Sequence, residues 1–383
     1  MTGRQPVRVL IACDHIDFDG ALHGGGRQLI ELTRALLDEG RVVPTVCVLR
    51  AATALGRELR AEGLPFEFFG SGPYSPTPLA RFVRTIRRDS IDVLHLTDFA
   101  TSTWGRLAGI ATRTPAIVQV ITHHSAHTHR GYPKPVELAY RALAPSTAKA
   151  LAISGSVAEF ARARMGFTAE QTEVLYYPLP KHSFAPPSAE RVAEVRREHG
   201  IPAGAPVVGA VSRFFPVKGI RYLIDAFPAV LRERPDARLL LVGQGPEDDA
   251  LRRQAASLGI AEQVTFAGFQ RDAAAYAASF DVAVVPSLEE GFGLVAVEAM
   301  ALGVPVVASR VDGLAEVITD ERSGLLVPPA DPAAIAASVL RVLGDPELRR
   351  RLAEGGRAES ARFELDRYTG RLTELYQELA ARS

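Results

Sequence analysis

Cysteine is scarce in this chain, with Cys13 and Cys47 the only two in 383 residues. Both fall in apolar, strand-like runs, so two buried reduced thiols are expected rather than a disulfide. No Cys/His group has the spacing of a structural zinc site. Net charge is also missing, because 44 basic side chains balance 44 acidic ones. That balance argues against a general nucleic-acid binder and against a strongly basic membrane-surface protein. Long apolar runs are absent, and the stretch from Met1 to Asp14 has no apolar signal core behind its charges. A cytoplasmic protein without stable membrane insertion is therefore expected. No GxSxG elbow occurs, and neither cysteine lies beside a plausible histidine, so no serine or cysteine nucleophile stands out.

What the chain does have is alternation. Short β-rich apolar runs alternate with amphipathic helical segments from Val7 to about Leu343. The first half offers strands at Val7–Ala12, Val42–Leu49, Phe66–Phe69, Ile91–Leu96, Ala116–Ile121, Lys149–Ile153 and Thr172–Tyr176. The second half offers Pro206–Ser212, Arg238–Gly243, Gln263–Phe266, Asp281–Pro286, Pro305–Ser309 and Gly324–Val327. Strands that are apolar throughout, each followed by a helix, predict parallel sheets covered on both faces. The pattern pauses once, between the prolines of Pro178-Leu179-Pro180 and those of Ala185-Pro186-Pro187. The expected fold is α/β: two doubly wound, Rossmann-like domains, residues 1–180 and 190–360, facing across a cleft. A final helix over residues 361–383 is expected to return to the first domain.

The densest cluster of chemistry is Glu290-Gly291-Phe292-Gly293-Leu294, with Glu298 following eight residues after Glu290. An apolar strand leads in, and Gly303-Val304-Pro305 leads to the next strand. The glycines then sit at a strand-to-helix turn whose helix starts near Leu294. Such a turn presents backbone N–H groups and partial positive charge, which suits a phosphate. Two carboxylates flanking the cradle suit hydroxyls on both sides of a pyrophosphate, as in a nucleotide sugar. Arg213 and Lys218 close the first strand of the same half, where a guanidinium fork and a point charge fit phosphate oxygens. Gly243 lies in another strand-to-helix turn, where a structural glycine is the first reading and backbone contact with the nucleotide the alternative. Phe266 and Phe269 could flank a base or equally be two core aromatics around a turn.

The first half is less specific. Gly24-Gly25-Gly26 opens the first helix and permits φ > 0 and close backbone approach to a ligand. The spacing does not match GxGxxG, and no acidic residue is clearly placed for a ribose, so a nicotinamide cofactor is not indicated. His123, His124, His127 and His129 lack carboxylates at ligand spacing, so no metal is expected; His123 or His124 facing a cleft is the stronger reading. His95 can equally be a satisfied core histidine or a site residue.

These motifs together resemble the signature of the retaining GT-B glycosyltransferases, glycosyltransferase family four. The resemblance rests on Glu290-Gly-Phe-Gly-Leu-x3-Glu298-Ala-Met-Ala, Ser212-Arg213 with Lys218-Gly219, Val242-Gly243-Gln244-Gly245-Pro246 and Ser323-Gly324. In the first half it takes in Gly24-Gly25-Gly26, Asp92 to His95 and Ala152-Ile153-Ser154. It implies a metal- and cofactor-independent hexosyl transfer from a UDP-, GDP- or dTDP-type sugar to a hydroxyl. Arg213 and Lys218 would hold the pyrophosphate, and Glu298 the ribose. Glu290 and the backbone of Phe292, Gly293 and Leu294 would meet the sugar and phosphates. Gly25 and Gly26 would cover the diphosphate, and His124 would contact sugar or acceptor. A small soluble acceptor such as a sugar, cyclitol or secondary metabolite is expected, and the composition points to a GC-rich bacterial gene. The alternatives are an epimerase or hydrolase of the same fold, and a lipid acceptor met by the basic helix Arg81 to Arg88. The chain departs from the family pattern in three places. Tyr176-Tyr177-Pro178-Leu179-Pro180 replaces Asn-Gly-Val-Asp, Ser125 replaces an acid, and Thr97 replaces a histidine.

Overall fold

A computed structural model describes residues 5–18, 21–22, 24–72, 75, 77–120 and 134–382. The chain forms two compact units. Of the described residues, those up to 180 and from 365 onward make one unit, and residues 181–364 make the other.

The N-terminal unit is built on a seven-stranded sheet. Its order is Phe66–Phe68, Val42–Val48, Val7–Cys13, Val93–Leu96, Ala116–Val120, Thr147–Ala152 and Thr172–Val174. Every pairing in it is parallel. The C-terminal unit carries six parallel strands in the order Val264–Gly268, Arg238–Val242, Val207–Val211, Val282–Val285, Val306–Ser309 and Leu325–Val327. All thirteen strands expected from the apolar runs are present. Their burial explains the pattern: Val93–Leu96 and Val282–Val285 are buried at every residue. Such strands need helices on both faces, and the alternating helical segments supply them.

In both sheets the chain winds outward from a central strand and then restarts on that strand's other side. The order therefore reverses between Val7–Cys13 and Val93–Leu96 in one unit, and between Val207–Val211 and Val282–Val285 in the other. Loops leaving adjacent strands at such a point diverge and leave room for a ligand beyond the strands' carboxyl ends.

The last helix, Leu365–Ala380, belongs to the N-terminal unit. Tyr368, Leu372, Leu375, Tyr376 and Leu379 pack into one core with Ile11, Leu29 and Leu36. The Leu365 N–H donates to the Leu179 carbonyl at 3.0 Å, pinning the return. The final helix is expected from residue 361, but the α-helix begins at Leu365. Phe363 lies in a 3-10 turn of the C-terminal unit, edge-to-face with Phe292. Both cysteines are buried and free. Among the described residues, no helix is long and apolar enough to cross a membrane.

Candidate functional site

The C-terminal unit brings its two motif loops together at the switch point. The strand Val207–Val211 runs into Arg213 and then into the 3-10 turn Pro216–Lys218. The neighbouring strand Val282–Val285 runs into Ser287–Gly293. The Leu288 N–H donates to the Val217 carbonyl at 2.8 Å, so the two loops are laced by backbone. Lys218 Nζ then meets Glu290 Oε2 at 2.6 Å, with both side chains largely buried. Ser287 Oγ donates to the same carboxylate oxygen at 3.1 Å. Both side chains are partly exposed, so the pair remains within reach of a ligand.

A third loop holds this arrangement, and the sequence did not single it out. The Glu290 N–H donates to Asp312 Oδ2 at 3.3 Å, and the Gly313 N–H donates to the Glu290 carbonyl at 2.9 Å. Asp312 has φ +36°, a left-handed conformation that few non-glycine residues adopt. The readable signal was the Asp-Gly pair three residues past the strand Val306–Ser309.

The helix Leu294–Ala301 starts where the motif spacing places it, with Glu298 as its fifth residue. Gly293 precedes it at φ +99° and offers no side-chain cap. The first N–H groups of a helix have no intrahelical acceptor, so this end is suited to an anion. Phe292 contributes only backbone: its ring is buried against Phe363, with centroids 5.3 Å apart. Glu289 is buried, whereas Glu290 faces Lys218, so the neighbouring carboxylates serve different surroundings. Arg213 is exposed and its guanidinium lies 5.1 Å from the Phe215 ring centroid.

Gly243 has a structural role. Its N–H donates to the Gly268 carbonyl at 2.8 Å, so that amide is already used inside the protein. A Cβ there would collide with the Ser212 carbonyl oxygen. The residue is glycine because two strand-end loops touch, and the Ser212 N–H to Val242 carbonyl bond at 2.9 Å holds them. Next along the chain, Glu247 buries one carboxylate oxygen without a hydrogen-bond partner among the described residues, and burial raises its pKa. Phe269 is exposed, whereas Phe266 lies under the Arg252 guanidinium.

In the N-terminal unit, Gly25 and Gly26 are not a positive-φ loop. They form the first turn of the helix Gly24–Glu39. Gly26 is required by close approach, since a Cβ would collide with the Ile16 carbonyl. His95 is fully buried. Its Nδ1 lies 2.6 Å from the Tyr376 hydroxyl and its Nε2 lies 2.8 Å from Gln119 Oε1. Burial lowers its pKa to about 4, so the ring is neutral at pH 7. It is a satisfied core histidine. His123, His124, Ser125, His127 and His129 lie outside the described residues. In the helix Thr77–Arg88, Arg81 donates to the Phe69 carbonyl, and Arg88 pairs with Asp89 and Glu67. Two of its four arginines are thus engaged by the chain's own acceptors. Among the described residues, no group of three or more His, Cys, Asp or Glu could hold a metal ion.

Comparison with known proteins gives one consistent answer. The model of the glycosyl transferases group 1 matches residues 192–359, and that of glycosyltransferase family 4 matches residues 22–179. The D-inositol 3-phosphate glycosyltransferase of Salinispora arenicola is 39% identical over 213 residues, covering 52% of this chain and 47% of that protein. The N-acetyl-alpha-D-glucosaminyl L-malate synthase of Bacillus anthracis is 36% identical over 166 residues, 43% of each. The chain spans about half the length of the curated relatives it matches. Among solved structures, Anabaena HepE in complex with UDP superimposes with a TM-score of 0.83 at 24% identity, over 97% of this chain and all of that one. A glycosyltransferase from Rickettsia africae reaches 0.85 at 19% identity, over 99% of this chain and all of that one. These likenesses show the two-domain GT-B fold.

Proposed function

This chain belongs to the group 1 glycosyltransferases of family 4, and from that membership we propose that it transfers a sugar from a nucleotide diphosphate sugar to a hydroxyl, with retention and without a metal. The observation that carries the reading is the Lys218–Glu290 pair, held at 2.6 Å beside an uncapped helix start. Solved relatives of the same fold are described with UDP and with UDP-glucose.

In this reading Lys218 and Arg213 take the donor's pyrophosphate. The donor's arrival gives Lys218 a second anionic partner, so the pair with Glu290 loosens as the phosphate binds. Glu290 is then available to the sugar hydroxyls, and Glu298 to the ribose. The amides at the start of the helix Leu294–Ala301 complete the anion site. During transfer the acceptor oxygen bonds to the anomeric carbon, and the bond from that carbon to the β-phosphate oxygen breaks. Charge develops on the departing phosphate, where two cations and a helix terminus stabilise it in place. Attack from the face that the phosphate leaves retains the configuration. The departing phosphate oxygen accepts the acceptor's proton.

The test is a thermal-shift panel of UDP-, GDP-, ADP- and dTDP-sugars on the full chain. A donor at a hundredfold its Kd adds about 2.7 kcal/mol to stability. A donor that stabilises the chain is then assayed for nucleotide release with and without acceptors. Release that needs no acceptor would instead identify a hydrolase, and no stabilisation by any donor would overturn the reading.

A further inference from the structure

Glu290 is held from two directions. Lys218 and Ser287 fix its carboxylate, at 2.6 and 3.1 Å. The loop after the strand Val306–Ser309 fixes its backbone. The Glu290 N–H donates to Asp312 Oδ2 at 3.3 Å, and the Glu290 carbonyl accepts from the Gly313 N–H at 2.9 Å. Both polar backbone groups of one residue are therefore taken up by two consecutive residues of another loop.

The two loops also fit closely where they touch. A Cβ on Gly313 would come within 2.6 Å of the Gly291 carbonyl oxygen, and a Cβ on Gly293 within 2.6 Å of Leu314 Cδ2. Leu314 is fully buried, so it has little room to yield. At the edge of this contact Asp312 stands at φ +36°, a conformation that glycine adopts without strain and a side chain does not. Strain of this kind persists where the surroundings require the side chain. Here the side chain supplies the acceptor for the Glu290 N–H. Glycine at 312 would relax the backbone and lose that acceptor.

Donor binding changes which hold matters. In the transferase reading, on which this inference rests, the phosphate competes for Lys218 and the pair with Glu290 loosens. Ser287 and the two backbone bonds then keep Glu290 at the sugar. We propose that Asp312 is a positioning residue: it sets Glu290 for the transfer step, not for donor binding, and its strained backbone is retained for that acceptor.

The experiment uses the full chain with each UDP-, GDP-, ADP- or dTDP-sugar that stabilises it. Nucleotide release is followed with myo-inositol, inositol 3-phosphate and a mixed extract of small metabolites as acceptors. Asp312→Gly is expected to lower kcat about tenfold, the scale of one hydrogen bond to a charged group, while the donor KM and donor thermal shift stay unchanged. Its melting temperature is expected to stay within about 4 °C of the wild type, because relief of strain offsets the lost bond. It should share the weaker discrimination among donor sugars expected of Glu290→Gln, and the double variant should be no slower than Glu290→Gln alone. Asp312→Asn removes the charge but keeps a carbonyl oxygen and tolerates the left-handed backbone, so it is expected to recover most of the turnover. Wild-type turnover in Asp312→Gly, a loss that adds fully to that of Glu290→Gln, or no recovery in Asp312→Asn overturns the inference. A melting temperature lowered by more than about 4 °C in Asp312→Gly also overturns it, since the residue would then be structural. Absence of a donor shift or of release in the wild type overturns the transferase reading beneath it instead.

Discussion

The two switch points share a topology and differ in what they leave at the surface. In the C-terminal unit, polar chemistry is aimed outward: Lys218 and Glu290 pair at strand ends, with a helix start beside them. In the N-terminal unit, the polar groups near the strand ends are turned inward. His95 is spent on Tyr376 and Gln119, and Asp98 on capping the helix Phe99–Thr112. A doubly wound sheet therefore supplies the place for a site but not its chemistry. Charge pairs set on glycine-rich turns make one end ready for phosphate. At the other end Ile11, Leu29 and Leu32 line a cavity together with Gln28 and Gln119, each of which keeps one unpaired amide atom.

The contrast is most strongly tested at the charged end. Lys218→Ala, Arg213→Ala and Glu298→Ala are each expected to cut donor turnover by roughly 10²–10³-fold, the scale of losing one preorganised electrostatic contact. Steady-state kinetics with donor thermal shifts would check this, and unchanged values in all three would erase the difference between the units. Gly243→Ala should cost about 3 kcal/mol in denaturant unfolding, through collision with Ser212 at a backbone φ of +132°. Wild-type stability there would mean that the loop contact is loose.

At the inward-turned end, pH is the probe. Burial, with the charge of Asp14 adding to it, raises the Asp98 pKa to about 6 from an ordinary 3.8. That group's stabilising contribution is full below about pH 4 and is lost as pH rises toward 6. Burial lowers the His95 pKa to about 4 from 6.5, so its contribution is full above pH 6.5 and is lost as pH falls toward 4. Each contribution is on the order of 2–3 kcal/mol, and over pH 4–6 they oppose one another. Relative to the wild type, His95→Gln should therefore lose stability as pH rises from 4 to 6, and Asp98→Asn should gain it. Melting curves across that range check the signs, and parallel slopes would refute the two buried titrations. A smaller effect is expected for Glu290→Gln, about tenfold in turnover with weaker discrimination among donor sugars. The smallest is Arg88→Ala, about 0.5 kcal/mol or less with unchanged kinetics, since its partners sit at the surface.

Much of the fold was readable because buried parallel strands must be apolar along their whole length. Val93–Leu96 and Val282–Val285 show that plainly, and strand ends came within a residue or two throughout. The turn at Gly293 was equally readable, because a positive-φ turn and a following apolar helix need adjacent, ordered residues. The third loop was not. Asp312 and Gly313 touch Glu290 from 22 and 23 positions away, across an intervening helix and strand, and no local pattern signals that contact. Which neighbour demands the glycine at 243 is equally invisible locally, because the contact comes from Ser212 at the end of another strand.

Residue pattern alone determined the class of the sheets, their number of strands and the identity of the phosphate-type turn. These follow from short-range rules: burial on both faces, turn geometry and helix starts. Tertiary structure decided which polar groups remain available. Lys218 meets Glu290, His95 is consumed by Tyr376, and Gln28 and Gln119 keep one unpaired atom each. A hydrogen bond forms only within about 3 Å, and it is the folding of distant segments together that brings or withholds the partner.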